Sequence, residues 1–179
     1  MSESQVRTRI TIAALLCLFA SISASPARAF EAGGHLGVGL DSGSVHLGGD
    51  LVFPLVDVSS SVKLSIWPSA AFIIADGPEG VLLSCDFPFE FDIAESIVKP
   101  FLGPGLGVGI FDGHARLKLN VIGGVFIDTG TVRPFAELAL RFIHGTQVDL
   151  LVGVLVELQE PSSSSRALAS LRPPASDRI

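Results

Sequence analysis

Leu83-Ser84-Cys85-Asp86-Phe87-Pro88-Phe89-Glu90-Phe91-Asp92 decides the fold. Every odd-numbered residue is apolar, and every even-numbered one is polar, charged or proline. Successive side chains of a strand point to opposite faces, so this period of two predicts a β-strand with one greasy and one wet side. An amphipathic helix would need apolar residues three and four apart instead.

The same parity recurs on both sides of this stretch. Upstream, residues 31–40 set Ala32, Leu36, Val38 and Leu40 against Glu31, His35 and three glycines. Residues 44–53 set Val45, Leu47, Leu51 and Phe53 against Ser44, His46, Gly48 and Asp50, and Pro54 is expected to end that strand. Residues 62–72 set Val62, Leu64, Ile66, Ala70 and Phe72 against Lys63, Ser65, Trp67 and Ser69. Downstream, Leu102, Leu106, Val108 and Ile110 oppose Lys99, Phe101 and four alternate glycines. Leu117, Leu119, Val121, Val125 and Ile127 oppose Arg116, Lys118, Asn120, Ile122 and Phe126. Ala136, Leu138, Leu140 and Phe142 oppose Arg133, Phe135, Glu137 and Arg141, and Val148 to Leu158 oppose Gln147, Asp149, Gly153 and Glu157. Asp41-Ser42-Gly43, residues 75–80, Asp112-Gly113-His114, Asp128-Thr129-Gly130 and His144-Gly145-Thr146 have turn composition. The expectation is eight antiparallel strands, each long enough for the roughly 9–11 residues that a tilted strand needs to cross a bilayer.

The ends differ in kind. Arg7 and Arg9 precede an apolar run over residues 10–20, and Ala27-Arg28-Ala29 offers a small-x-small cleavage site. Residues 1–29 therefore read as an export signal cut after Ala29. Cys17 follows Leu15 and Leu16, where a lipoprotein signal has small residues, so lipidation is not expected. Residues 159–179, with four consecutive serines and Pro173-Pro174, read as a disordered tail. The barrel domain is residues 30–158.

Taking away Glu3, Arg7, Arg9 and Arg28 leaves 17 acidic and 9 basic residues. That balance opposes nucleic acid as a partner. Only Cys85 remains of the two cysteines, so no internal disulfide can form. Positive mean hydropathy without a long apolar run suits a barrel whose outside faces lipid.

Alternation alone does not say which face is inside. An eight-stranded barrel encloses a space that side chains just fill, or one small ligand. The apolar face is too bulky for that space, whereas the glycine-rich polar face fits it. By parity the polar face holds Glu31, Asp50, Asp86, Glu90, Asp92, Glu137, Asp149 and Glu157, with Lys63, Lys99, Arg116, Lys118, Arg133 and Arg141. Enclosed, these charges need partners of opposite sign, and the mixture allows a plug of ion pairs. A soluble lipocalin-like barrel with the faces reversed is the alternative. Pro68, Pro88 and Pro104 fall inside closed-barrel strands, where they are expected at bulges or true boundaries.

Lys99-Pro100-Phe101-Leu102-Gly103-Pro104-Gly105-Leu106-Gly107-Val108-Gly109, followed by Arg133-Pro134-Phe135-Ala136-Glu137, resembles paired strand motifs of the small bacterial outer-membrane β-barrel proteins. The resemblance covers residues 31–158. It implies an all-β, eight-stranded antiparallel up-and-down transmembrane β-barrel. It also implies a monomer with both termini in the periplasm, with outer-membrane lipid and the outer-membrane assembly machinery as partners. It carries over no set of functional residues.

No catalytic, metal or cofactor site is expected. The glycines of residues 103–109 repeat every second position and precede no helix, unlike a dinucleotide-binding loop. His35 and His46 lie near Asp50 on the polar face and could bind zinc, but hydrogen bonding within the lumen is the plainer reading. Ser69, Glu137 and His144 are the nearest approach to a nucleophile with its base, and no G-x-S-x-G occurs. Cys85 reads as an apolar filler, and Trp67 as either a lumen or an interface residue. The expected role is non-enzymatic: a structural or interaction protein, or else a narrow pore for small solutes.

Overall fold

A computed structural model of the chain describes residues 30–75, 79–142 and 145–158. The expected signal segment, the expected tail, Cys17 and His144 lie outside the described residues. Among the described residues nine strands form: β1 (Phe30–Gly39), β2 (Val45–Ser59), β3 (Val62–Ile74), β4 (Gly80–Asp86), β5 (Phe89–Phe91), β6 (Val98–Phe111), β7 (His114–Ile127), β8 (Val132–Phe142) and β9 (Gln147–Leu158). β4 and β5 both lie between β3 and β6, so they are two pieces of one stave. Each stave pairs antiparallel with the next, and β1 pairs with β9 from Phe30–Leu158 to Gly39–Asp149. The result is a closed eight-stave meander without a free edge.

The apolar parity points outward on every stave. Leu36, Leu47, Phe72, Leu102, Leu117, Leu138 and Val152 are all exposed, and the opposite parity fills the interior. This orientation excludes the reversed, lipocalin-like arrangement for the chain.

The prolines behave differently from expectation. β2 does not stop at Pro54. It runs on to Ser59, and a bulge between Pro54 and Val56 absorbs the missing donor. Pro88 is fully buried and divides the stave between β4 and β5. Its carbonyl accepts from the Ser65 N–H at 3.1 Å, while the Phe87 N–H donates to the Pro104 carbonyl at 2.8 Å, so the break is bridged on both sides. Pro104 itself stays in register opposite Val121 without a bulge. Pro68 faces Cys85 on β4, and the β2 ladder steps from Asp50–Ser69 to Phe53–Ile66, passing over it.

Candidate functional site: the barrel lumen

The lumen is filled in layers. At the end where β1 begins and β9 finishes, Arg133 reaches across from β8 and bridges two carboxylates. Its Nη1 donates to Glu31 Oε1 at 2.5 Å and its Nη2 to Glu90 Oε2 at 2.7 Å. The guanidinium lies 4.4 Å from the Phe126 ring centroid, so the ion-pair layer rests on an aromatic one. Lys99 pairs with Asp92 in the turn after β5, and the hydrogen bond it donates holds that carboxyl below the usual carboxylate range. Glu157 is half-buried at this end, and Lys63 is exposed.

The second layer is apolar. Trp67, Phe101, Phe126 and Phe135 come from four different staves and pack with ring centroids 4.5–6.2 Å apart. Val52, Ile122, Ala139, Leu151 and Leu155 complete the cluster. Glycines make room for it across the ladder. Phe101 faces Gly124 and Phe135 faces Gly153, and a Cβ at either glycine would come within 2.7 Å of the facing ring. Besides the expected network of charges, the middle of the lumen thus holds a layer of packed aromatic rings. Parity had already turned these side chains inward. What it lacked was the register that brings them to one height.

Above the rings lies a buried polar layer. Asp50 accepts from Trp67 Nε1 at 3.1 Å and pairs with His35 Nδ1 at 2.6 Å, using both carboxylate oxygens. Asn120 Nδ2 donates to Asp86 at 3.0 Å, and Ser69 shares a hydrogen bond with Ser84 at 2.7 Å. Glu137 and Arg141 line the same small enclosed void as Asp50 and Asp86. One guanidinium therefore stands among three carboxylates. These groups, with Asp149 above them, are buried within the lumen.

The last layer opens as a cup at the opposite rim, where β1 ends and β9 begins. It encloses about 470 Å³ between the β1–β2 turn, the β6–β7 turn and the start of β9. Arg141 pairs with Asp149, and Lys118 donates to Gln147 on its wall. Arg116 lines the same cup but is exposed. Of the charged residues singled out by parity, Lys63 and Arg116 thus stand at opposite rims, and the others are buried or half-buried.

One juxtaposition has no counterpart in the sequence reading. Ser44 Oγ lies 3.0 Å from His46 Nε2, and Asp149 Oδ1 lies 3.7 Å from the same nitrogen. A serine nucleophile needs the acid on the other ring nitrogen, holding the base in the right tautomer. Here His46 Nδ1 is buried with no hydrogen-bond partner. The trio is a polar cluster without the geometry of a proton relay. His35 and His46 are committed to different carboxylates, and no group of three or more potential metal ligands occurs among the described residues.

No protein-family model and no curated protein matches the chain. Solved structures do. The N-terminal β-barrel domain of Pseudomonas aeruginosa OprF superposes with a TM-score of 0.58 at 16% identity, over 73% of this chain and 97% of that one. Neisserial surface protein A (NspA) matches with a TM-score of 0.50 at 17% identity, over 73% of this chain and 95% of that one. At these identities the likeness is one of fold: the chain has the architecture of the small eight-stranded barrels.

Proposed function

We propose that this chain is a monomeric, non-enzymatic outer-membrane β-barrel that does not conduct, and that its role is structural or one of interaction at its rims. The single observation that carries this reading is the aromatic layer of Trp67, Phe101, Phe126 and Phe135, which fills the lumen between the cup and the Arg133 bridge. Water and ions crossing the barrel would have to displace four packed rings as well as an ion-paired arginine. The narrow-pore reading requires such a path, and nothing in the lumen favours it.

The outer surface supports the membrane part. More than two dozen large apolar side chains are exposed around all eight staves, far beyond what a monomer leaves in water. A closed barrel is one of the two ways to satisfy every backbone group in lipid. The fold shared with the OprF domain agrees with this placement, as does the expected export signal. Outer-membrane lipid and the machinery that inserts such barrels are then its partners, and no cofactor is required.

Cell fractionation, an unboiled-versus-boiled gel shift and planar-bilayer recording together test the proposal. The expected result is a heat-modifiable band in the outer-membrane fraction that gives no conductance steps. Reproducible steps would reassign the protein as a pore, and a soluble periplasmic protein without a gel shift would remove it from the membrane.

A further inference from the structure

The buried polar layer carries more negative charge than its neighbours answer. Asp50, Asp86, Glu137 and Asp149 are its carboxylates, and Arg141 and Lys118 are its permanent cations. His35 adds a third cation when it is protonated on Asp50, with which it pairs at 2.6 Å. His46 adds none, because a proton on both ring nitrogens would leave an N–H at Nδ1 buried without an acceptor. Four carboxylates therefore face at most three cations, and one negative charge is left over.

Three of the four carboxylates have donors. Asp50 accepts from Trp67 Nε1 and pairs with His35, Asp86 accepts from Asn120 Nδ2, and Asp149 pairs with Arg141. Glu137 has none. It is only 7% exposed and makes no hydrogen bond or ion pair, alone among the buried charged side chains described. Other side chains of the lumen leave a single atom unbonded, whereas here a whole carboxyl group lacks a partner.

No surrounding element supplies the missing cation. Across the ladder Glu137 faces Gly124 on β7 and Leu151 on β9. On its own strand Arg141 is taken by Asp149, and Arg133 by Glu31 and Glu90. Around the void, β1 offers His35, β2 Asp50, β3 Trp67 and Ser69, and β4 Ser84 and Asp86. β7 adds Asn120, bonded to Asp86, and Lys118, bonded to Gln147. Opposite Asp86 and Ser84, β6 has only Gly105 and Gly107. The void measures about 10 Å³, room for roughly one water, and no group of three or more potential metal ligands occurs among the described residues. A buried carboxylate with neither cation nor donor is costly, and such a group neutralises in place. The species that balances the layer is a proton.

We propose that Glu137 carries this proton and that the proton latches the lumen: with it the polar layer stays closed above the aromatic rings, and without it the ionised carboxyl draws water into the void. Trp67 and Phe135 line the same void, so water admitted there reaches the ring layer first. The latch depends on the packing of the lumen alone, so it can fail without touching the membrane placement proposed above.

Infrared spectroscopy of the protein refolded in uncharged detergent tests the latch, with Trp67 emission recorded across the same pH series. At neutral pH solvated carboxyl groups are ionised, so a carbonyl band of a protonated carboxylic acid is expected from Glu137 alone. Glu137→Gln should lose the band and Asp86→Asn should keep it, both with the heat-modifiable gel shift of a folded barrel. As the pH rises, the band should vanish and the Trp67 emission should move to the red over the same interval. In Glu137→Gln the emission should stay where it is. The pH series on the unsubstituted protein decides the matter even if a variant fails to fold. The proposal is overturned if that protein shows no such band at neutral pH, if the band survives Glu137→Gln or is lost with Asp86→Asn, or if the Trp67 emission does not follow its loss.

Discussion

Phe135 on β8 lies directly across the ladder from Gly153 on β9, and a Cβ on Gly153 would stand 2.5 Å from the Phe135 ring and 2.5 Å from the Gly34 carbonyl oxygen. The glycine is the slot into which the ring folds. Because the second obstacle is backbone, a side chain at Gly153 cannot be relieved by rotating the phenylalanine alone. Gly153→Ala should therefore cost about 1–3 kcal/mol, the usual penalty for overpacking a filled interior. Reversible urea unfolding in detergent or vesicles measures it. An unchanged midpoint would mean that the ring layer tolerates displacement.

If four rings seal the lumen, removing them should open it. Trp67 touches Phe101, Phe126 and Phe135 with centroids 5.0–5.5 Å away, so it is the hub of the layer. Combining Trp67→Ala with Phe126→Ala should convert a silent barrel into one with measurable conductance steps. Each truncation alone should also destabilise by about 3–5 kcal/mol through cavity formation. A folded double variant that stays silent would shift the seal to the ion-pair layer beneath.

The Arg133 bridge tests whether the two layers are coupled. Its guanidinium serves Glu31 and Glu90 at once and rests on Phe126. Arg133→Gln leaves two half-buried carboxylates facing each other without a cation, whereas Glu31→Gln removes only one arm. A double-mutant cycle on Arg133 and Glu31 should return a coupling of about 0.5–3 kcal/mol. A coupling indistinguishable from zero would make the bridge a solvated pair with no part in closing the barrel.

The fold was legible because a barrel stave needs only parity, and parity survives a single misplaced residue. Leu83 to Asp92 showed its two faces even though Pro88 cuts the stave in two. The boundary at Pro54 was misread because a bulge can carry a strand past a proline, and bulges leave no mark in composition. The lumen was half legible. Trp67, Phe101, Ile122, Phe126 and Phe135 all stood on the polar parity as conspicuous exceptions, and Leu151 and Leu155 share the parity of Asp149. Their meeting at one height depends on the stagger between staves, which no local pattern encodes. The Ser44–His46–Asp149 cluster was missed for the same reason: β2 and β9 are far apart in sequence and meet only across the rim.

Trp67 offers a direct reading of which face is inside, because the chain has one tryptophan. Sequence left it between the lumen and the membrane interface. The structure puts it 3% exposed in the ring layer, with Nε1 bonded to Asp50. All tryptophan emission therefore comes from the lumen, behind a wall of strands. In vesicles of lipids brominated along the acyl chains, the emission should be quenched far less than that of a control variant carrying its only tryptophan on the outer face, such as Trp67→Phe combined with Leu106→Trp. Aqueous iodide should quench it little, since the cup floor and the Arg133 bridge shield both sides. Asp50→Asn should red-shift the emission and cost about 1–3 kcal/mol, because an amide cannot accept from both Trp67 and His35 with the two oxygens that now serve them. Strong quenching by the brominated lipid would place the ring at the outer surface, and the aromatic seal would then lose its hub.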